Sequence, residues 1–393
     1  MSISAELSHT INEENRLRLL FFGDASEEHL FRWAKLFADR GHEVHVATWN
    51  ADIHAGYEPV VVHQLSKAVA STGILGRAIN LWRLSGAVRR VIRDVQPDLI
   101  HSHNVTAYTW MATRSGFHPC VATAWGLDVN VSVHEHLVER ICTTRAVKRA
   151  DWLHCEGENT KQSMVDLGAD PAKITVLPLG IDLERFTPAE PPRELVEKYG
   201  LAGSKVVVST RTLTPIHDIE SAIRTAALVL QKRRGVKFLI VSKGPEMQRL
   251  RDLAESLGIC ESVVFTGDVS ESEMAACLRA ADVFLSTTLS ESGTAVSMAE
   301  AMACGLPVVN TETGDIRLWL KDGEGGYVVP VKDSKSMAER VLHLLAHPEE
   351  RERAGRFNRR LMEERYDNRV TVAEMDSLYS RLVANGRDAK GTQ

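Results

Sequence analysis

The stretch LSESGTAVSMAEAMACGLPVV, from Leu289 to Val309, has small and polar residues where a helix is expected to begin and one acid inside that helix. Its apolar residues recur at helical spacing and the pattern ends at Gly305, a common helix terminator. A helix N-terminus has unpaired N–H groups and a partial positive charge, which suit a phosphate group. Glu300 lies two turns into the helix, where its carboxylate could accept hydrogen bonds from hydroxyl groups. On spacing alone, a plain connection followed by an exposed helix residue is the simpler interpretation.

The composition is typical of a soluble globular protein, with 44% hydrophobic and 25% charged residues. A chain of 393 residues is too long for one ordinary core, so two domains are expected. A net charge of −5 provides no basic field for nucleic acid. The six cysteines are scattered without a CxxC pair, which argues against a zinc site or disulfide framework and predicts a reducing, cytoplasmic location. The N-terminal residues lack a signal-peptide core, and no apolar run is long enough to cross a bilayer.

Strand-like and helix-like segments alternate through both halves of the chain. The strand candidates include LRLLFFGD, EVHVATW, PDLIHSH and PCVATAW in the first half, and KVVVSTR, KFLIVS, SVVFTG and VFLSTT in the second. This alternation predicts βαβ units and parallel sheets. Prolines and polar residues near 185–200 predict a linker, which gives domains at 1–190 and 191–365 and a C-terminal helix and tail at 366–393 that crosses back to the first domain. Ligands are expected at the carboxyl ends of the strands, in the cleft between the domains.

Several motifs occur in an order that resembles the family-4 retaining glycosyltransferases. They are GHEVHV, PDLIHSH, LPLGIDLERF, TRTLTPIHDIESAI, SKGP, SVVFTGDVSESEMAACLRAADVFL, and the opening stretch with TGDIRLWLKDGEGGYVVP after it. The resemblance spans nearly the whole chain and implies an α/β protein of the GT-B fold, with two Rossmann-like doubly wound domains facing a central cleft. The implied activity is transfer of a sugar from a nucleotide-diphosphate sugar to an acceptor hydroxyl with retention of anomeric configuration. Glycan, glycolipid or glycosylated-metabolite biosynthesis would use such an enzyme.

The resemblance assigns the opening stretch to the donor, with small residues that let backbone amides approach the diphosphate and a glutamate, Glu300, on the ribose. The family places another glutamate eight residues earlier, beside the donor sugar, but Ser292 occupies that position here. Either the neighbouring Glu291 is re-aimed by the loop, or Ser292 and backbone amides hold the sugar. The residues assigned to donor binding are Ser292, Gly293, Thr294, Ala295, Glu300, Trp125, Gly267 and Val269.

Cleavage of a sugar–diphosphate bond leaves negative charge on the phosphate, and fixed cations aimed there lower the barrier. The resemblance assigns this role to Arg211, while the family's following lysine position holds His217 or Asp218. Lys243 is the substitute cation, and Glu291 completes the catalytic set. No metal is expected, because no DxD-like pair stands at a strand end, and no cofactor is expected besides the donor substrate. The resemblance implies front-face substitution, in which the departing phosphate oxygen accepts the acceptor's proton.

The acceptor is expected at the carboxyl ends of the first domain's strands. The acceptor-side residues are Gly23, Asp24, His29, His103 and Asp128. His29 could equally cap or pack on its helix, and a lone histidine such as His103 is often structural. Trp125 stands where many relatives have a histidine beside the donor sugar, and it would form a stacking wall or belong to the core.

The segment GRAINLWRLSGAVRRVIR carries five arginines and no acid, so it could rest on the inner face of an anionic membrane near a lipid-linked acceptor. A sheet-packing helix with a solvated basic edge is the favoured interpretation. The acceptor could therefore be a glycan, a lipid-linked group or a small molecule, with peripheral membrane contact as an option. Two alternative functions are a GT-B nucleotide-sugar epimerase and a non-catalytic sugar-nucleotide-binding protein.

Overall fold

The computed structural model describes residues 11–50, 52–54, 56–65, 74–135, 137–291 and 295–391, with the backbone alone at 74–83, 135 and 387–391. The chain divides into two compact units. The first contains the described residues up to Leu179 and those from Arg369 onward, and the second runs from Gly180 to Asn368. The boundary between the two units lies earlier than the predicted boundary at residue 190. The segment after Gly180 joins the second unit, where the Ile181 N–H donates to the Tyr366 carbonyl at 2.6 Å.

The first unit is built on a parallel sheet of seven strands in the order β3-β2-β1-β4-β5-β6-β7. The strands are β1 Arg18–Phe22, β2 Glu43–Thr48, β3 Val61–Gln64, β4 Leu99–His103, β5 Cys120–Ala124, β6 Trp152–Cys155 and β7 Ile174–Val176. The helices are α1 Glu28–Asp39, α2 Ile74–Val95, α3 Ala107–Arg114, α4 Val133–Glu135, α5 Leu137–Arg149 and α6 Glu158–Asp166. Central strands such as RLLFF are continuous apolar runs because both faces of a parallel sheet are covered.

The second unit repeats the plan with six parallel strands in the order β10-β9-β8-β11-β12-β13. The strands are β8 Lys205–Ser209, β9 Val236–Ile240, β10 Val263–Phe265, β11 Val283–Ser286, β12 Val308–Thr311 and β13 Gly326–Val329. The helices are α7 Arg193–Lys198, α8 Ile219–Lys232, α9 Met247–Ser256, α10 Glu271–Arg279, α11 Val296–Ala303, α12 Ile316–Trp319, α13 Ser334–Ala346 and α14 Pro348–Arg365. The last helix is α15 Asn368–Gly391.

The strand order in each sheet reverses beside its first strand, between β1 and β4 in one unit and between β8 and β11 in the other. Connections leave such neighbouring strands toward opposite faces, so a crevice opens at their carboxyl ends. Each sheet has an apolar core on both faces. The two doubly wound parallel-sheet units predicted from the alternating pattern are therefore present, and each has one such crevice.

Helix α15 packs on the first unit. The Tyr379 hydroxyl contacts His101 Nδ1 at 2.5 Å, and His42 Nε2 contacts Asp376 at 2.6 Å. Met375 and Tyr379 are fully buried in a core that also contains Trp33 of α1. No helix within the described ranges combines the length and the apolar character needed to cross a membrane.

Candidate functional site

Arg211 follows β8, at the strand-order reversal of the second sheet. Its Nη2 donates to Glu291 Oε2 at 2.6 Å, and its Nη1 donates to Ser297 Oγ at 3.2 Å. The ion pair is largely shielded, because the side chains of Arg211 and Glu291 are only 12% and 20% exposed. Within the described part of the chain, the buried Arg211 Nε–H has no hydrogen-bond partner. A guanidinium that has hydrogen bonds on one edge and an unpaired N–H on another is suited to binding an additional anionic oxygen.

The loop that carries Arg211 is fixed by the loop that follows β9. The Leu213 N–H donates to the Lys243 carbonyl at 3.0 Å, and the Glu246 N–H donates to the Leu213 carbonyl at 3.1 Å. A Cβ on Gly244 would lie 2.4 Å from the Leu213 carbonyl oxygen, so only glycine permits this approach. The glycine of SKGP therefore positions the arginine loop.

The loop that follows β12 fixes the backbone of Glu291. Gly314 has a φ of +51°, and a Cβ there would lie 2.4 Å from the Glu291 carbonyl oxygen. With its backbone fixed in this way, Glu291 directs its carboxylate to Arg211. The three residues Ser292, Gly293 and Thr294, predicted to bind the donor, lie outside the described residues.

Helix α11 begins at Val296, directly after Ala295, and none of the described side chains caps its first turn. Its N–H groups are thus available at the end that faces the arginine loop, as the contact between Arg211 and Ser297 shows. Glu300 is 4% exposed, so the interpretation of an exposed helix residue is wrong. Residues Met298 to Ala303 of this helix are buried, because both the sheet and α14 pack on the helix. A buried carboxylate requires compensating polar partners, which singles Glu300 out from the apolar residues around it.

Lys243 does not join this ion pair. Its Nζ contacts Asp268 Oδ2 at 2.5 Å, between the predicted donor residues Gly267 and Val269. Both side chains are about two-thirds exposed or more, at 71% and 67%. An exposed pair of this kind contributes little to stability, so its lysine can exchange partners with small cost.

Neither His217 nor Asp218, which stand at the position of the family's second cation, provides a positive charge. His217 Nδ1 lies 2.8 Å from the Thr212 carbonyl, which can only accept, so this nitrogen carries the proton. Burial first, and then the charge of Arg211, lower the pKa of His217 to about 4. Asp218 has a φ of +46°, begins α8 and accepts from the Ser221 hydroxyl. Arg211 is therefore the shielded cation at this edge of the described sheet.

The first unit places its predicted residues at the other strand-order reversal. Gly23 follows β1, and a Cβ there would lie 3.1 Å from the Cβ of His103, the last residue of β4. His103 is 3% exposed, and neither ring nitrogen has a hydrogen-bond partner within the described ranges. Burial, with smaller contributions from His154 and His29, lowers the pKa of His103 to about 3. His103 is therefore a buried, neutral imidazole.

Trp125 joins this group by stacking. Its ring lies 4.7 Å from the ring of His29 at 20° and 5.7 Å from that of His103 at 25°. The buried Asp128 accepts from the backbone N–H groups of Trp125 and Gly126, at 3.1 and 2.9 Å, and so shapes the turn. Asp128 thus holds Trp125 in place.

Asp24 has a local role in the same region. Its carboxylate accepts from the Ser26 N–H and from Asn50 Nδ2, both at 2.9 Å. These bonds tie the loop after β1 to the loop after β2. The predicted acceptor-side residues are thus brought to one edge of the first sheet.

Three functional positions were missed by the sequence analysis: Ser297, His217 as a neutral group, and Gly314. Ser297 is the second residue of α11, so its place in the first turn of the helix predicted to bind the diphosphate was a usable signal. The glycine of TETGD was a weaker signal, since its left-handed φ and its contact with Glu291 require the fold.

Comparison with known proteins identifies the family of this chain. Residues 26–185 match glycosyltransferase family 4, and residues 204–347 match the family described as glycosyl transferases group 1. The D-inositol 3-phosphate glycosyltransferase of Gordonia bronchialis is 30% identical, over 92% of this chain and 85% of that protein. The phosphatidyl-myo-inositol mannosyltransferase of Mycobacterium leprae is 27% identical, over 92% and 94%.

Among solved structures, Anabaena HepE in complex with UDP-glucose superposes with a TM-score of 0.74 at 17% identity, covering 95% of this chain and all of that one. That identity supports the fold alone, which is GT-B. The family matches cover both units, and the Gordonia relative aligns over most of its length. The chain is a glycosyltransferase and belongs to glycosyltransferase family 4.

Proposed function

We propose that this glycosyltransferase takes its sugar from a nucleotide-diphosphate donor bound to the second unit, and transfers it with retention of anomeric configuration. The observation that carries the proposal is the shielded Arg211, held by Glu291 and Ser297 at the N-terminus of α11 with its Nε–H unpaired within the described residues. The name of the HepE complex, which contains UDP-glucose, supports a donor of this class.

In this arrangement Arg211 and the first-turn amides of α11 receive the charge that develops on the departing phosphate. Glu291 orients the guanidinium, and Glu300 accepts hydrogen bonds from the ribose hydroxyls. Lys243 can leave its exposed partner Asp268 and add a second cation when the donor is bound. The departing phosphate oxygen then accepts the proton of the incoming hydroxyl. These groups supply the charge compensation without a metal ion.

For the acceptor we propose a hydroxyl-bearing ring that uses the neutral, aromatic edge of the first unit, where Trp125 offers a stacking surface. The named relatives act on inositol-containing acceptors, either a phosphate or a lipid. An inositol ring carries hydroxyls and an apolar face, which suits an indole and an imidazole.

The purified chain should be incubated with UDP-glucose or GDP-mannose, and with inositol phosphate or phosphatidylinositol, in buffers with and without EDTA. We expect one combination to give a glycosylated product whose anomeric configuration, read by NMR, matches that of the donor. The product should persist in EDTA and disappear in Arg211→Ala, whereas Arg193→Ala, an exposed arginine in the same unit, serves as the control. Inversion, or a strict need for added divalent metal, would contradict the proposal.

The same assay separates the alternatives. An epimerase would change the free sugar nucleotide without an acceptor, and a binding protein would leave the donor intact. If every acceptor tested gave one of these two results, the transferase mechanism proposed here would be wrong.

Contact with a membrane surface is a further part of the proposal. Helix α5 exposes Leu137 (74%), Val138 (62%) and Ile141 (41%), and its exposed arginines include Arg140. Exposed Arg89 and Arg90 of α2 belong to the predicted basic helix, whose earlier arginines have no described side chains. Apolar side chains beside basic ones favour an anionic lipid surface. Co-sedimentation with phosphatidylglycerol vesicles should fall for Val138→Asp and not for Val331→Asp, and equal binding of the two variants would exclude α5.

A further inference from the structure

The junction of α13 and α14 brings together two histidines and a glutamate. His343 lies in the last turn of α13, His347 connects the two helices, and Glu350 lies in the first turn of α14. One ligand atom from each of these side chains lies within 4.8 Å of the others. The sequence analysis expected no metal because it overlooked the HxxxH spacing of His343 and His347, which places both histidines on one face of a helix end.

Hydrogen bonds at this junction leave one imidazole nitrogen of His347 ready to bind a metal and orient Glu350. His347 Nδ1 lies 2.8 Å from the His343 carbonyl, so this nitrogen carries the proton and Nε2 keeps its lone pair. The Tyr327 hydroxyl donates to Glu350 Oε1 at 2.6 Å, and Glu350 Oε2 lies 2.8 Å from His343 Nε2. One oxygen of Glu350 is therefore oriented by a tyrosine, while the other meets a histidine. Such outer hydrogen bonds are usual around metal ligands.

Both negative and positive charges lie near the junction. The Glu350 carboxylate provides negative charge and lies between the Tyr327 hydroxyl and His343. The carbonyl end of α13 adds partial negative charge. Arg340, which lies over the Tyr327 ring at 4.6 Å, and Arg353, which lowers the pKa of Glu350, oppose a cation. Two imidazoles and a carboxylate favour zinc and similar transition metals, whose affinity depends on ligand type more than on net charge.

We propose that His343, His347 and Glu350 bind one divalent transition-metal ion of the zinc class, with water as a further ligand. His343 Nε2 loses its proton to solvent on binding, so that the ion replaces the hydrogen bond between His343 and Glu350 and joins the end of α13 to the start of α14. Helix α14 packs on α11, and a Cβ on Gly355 would lie 2.1 Å from the Gly305 carbonyl that follows α11. The metal thus stabilises the helix that supports α11. None of the three ligands is a residue to which we assign a role in transfer.

The test is calorimetric titration of the metal-stripped full chain with Zn²⁺, with Co²⁺ absorption as a probe of coordination. We expect one ion per chain, intense visible bands typical of four-coordinate Co²⁺, and a higher melting temperature on zinc addition. His347→Gln and Glu350→Gln should each weaken zinc binding at least tenfold. The matched control is His134→Gln, which removes an exposed histidine of the first unit.

Because cysteine thiolates are zinc ligands and Cys260 is free and exposed, the titrations are repeated in Cys260→Ser. Circular dichroism establishes that each variant is folded. Hydrogen exchange of residues 343–350 should slow on zinc addition in the wild type and in Cys260→Ser. Absence of binding, equal binding by the His347 and Glu350 variants, or loss of binding in Cys260→Ser alone would overturn the proposal and leave these side chains as a hydrogen-bonded helix junction.

Discussion

The two units share a strand order but differ in the chemistry at their strand-order reversals. In the second unit this edge carries the shielded ion pair of Arg211 and Glu291 beside the N-terminus of α11. In the first unit the same edge carries His103, whose ring nitrogens have no hydrogen-bond partner among the described residues, and Trp125 is stacked beside it. One topology thus supports a charged edge and a neutral edge.

Burial explains how each edge is maintained. The second unit keeps a cation in a shielded place because Glu291 compensates it, whereas the first unit holds three buried histidines neutral by withdrawing them from water. An anionic diphosphate suits the former edge, and an uncharged hydroxyl-bearing ring suits the latter. Four predictions test this contrast.

The largest effect should be selective acid unfolding of the first unit. Burial lowers the pKa of His103 to about 3 and of His154 to about 4, and holds that of His101 well below its ordinary value. Below about pH 6.5 the unfolded chain takes up protons that the folded unit does not, so stability is fully present above that pH and is lost as the pH falls. At pH 5 the loss is about 2 kcal/mol for each histidine.

Tryptophan fluorescence follows the first unit, because every tryptophan except Trp319 precedes residue 180. Hydrogen exchange follows the second unit in the same samples. His154→Gln should flatten the fall in stability between pH 7 and 5, and the exposed His134→Gln should leave it unchanged. If the second unit unfolds first, the contrast in buried histidines does not control acid stability.

Arg211→Ala should reduce kcat by about 10²-fold, because it removes the charge that stabilises the departing phosphate. Glu291→Ala should cost at least about tenfold less, since it removes only an orienting partner and a contact already present in the bound substrate. Steady-state rates at saturating donor measure both. A greater loss for Glu291→Ala would assign the main catalytic role to the glutamate and show that Arg211 serves mainly to hold it.

Glu300→Gln should weaken nucleotide-sugar binding about tenfold, as expected for the loss of a charged hydrogen-bond acceptor. The amide is nearly isosteric, so it separates binding from the packing loss that alanine would cause at this buried position. Calorimetric titration with UDP gives the affinity, and a melting curve checks the fold. An unchanged affinity in a folded variant would remove Glu300 from the donor site.

Trp125→Ala should have the smallest effect, raising the acceptor KM about fivefold through loss of a stacking surface. Because Trp125 lies in the first unit, the affinity for UDP should stay unchanged. The control is Trp110→Ala, a partly buried tryptophan of α3. A loss of nucleotide affinity in Trp125→Ala would instead support its predicted contact with the donor.

The sequence by itself determined the architecture and most site positions. Alternating apolar strands and amphipathic helices specify a doubly wound unit, and residues just after a strand must lie at its carboxyl end. The places of Arg211 after KVVVST and of His103 at the end of PDLIHSH were therefore predictable from local pattern, whereas the role predicted for Arg211 came from the family resemblance. The division near residue 190 was less accurate, because proline content marks a loop without showing which unit it packs on.

Only the tertiary structure decided burial and pairing. The sequence gives Glu300 the same helical spacing whether α11 is exposed or covered, and Glu300 is buried in a helix on which the sheet and α14 pack. It likewise cannot pair Arg211 with Glu291, which are 80 residues apart. The sequence also does not show that Gly314 lies close to the Glu291 carbonyl. Local periodicity is encoded in a few adjacent residues, whereas the charge state and orientation of a side chain depend on every element that packs around it.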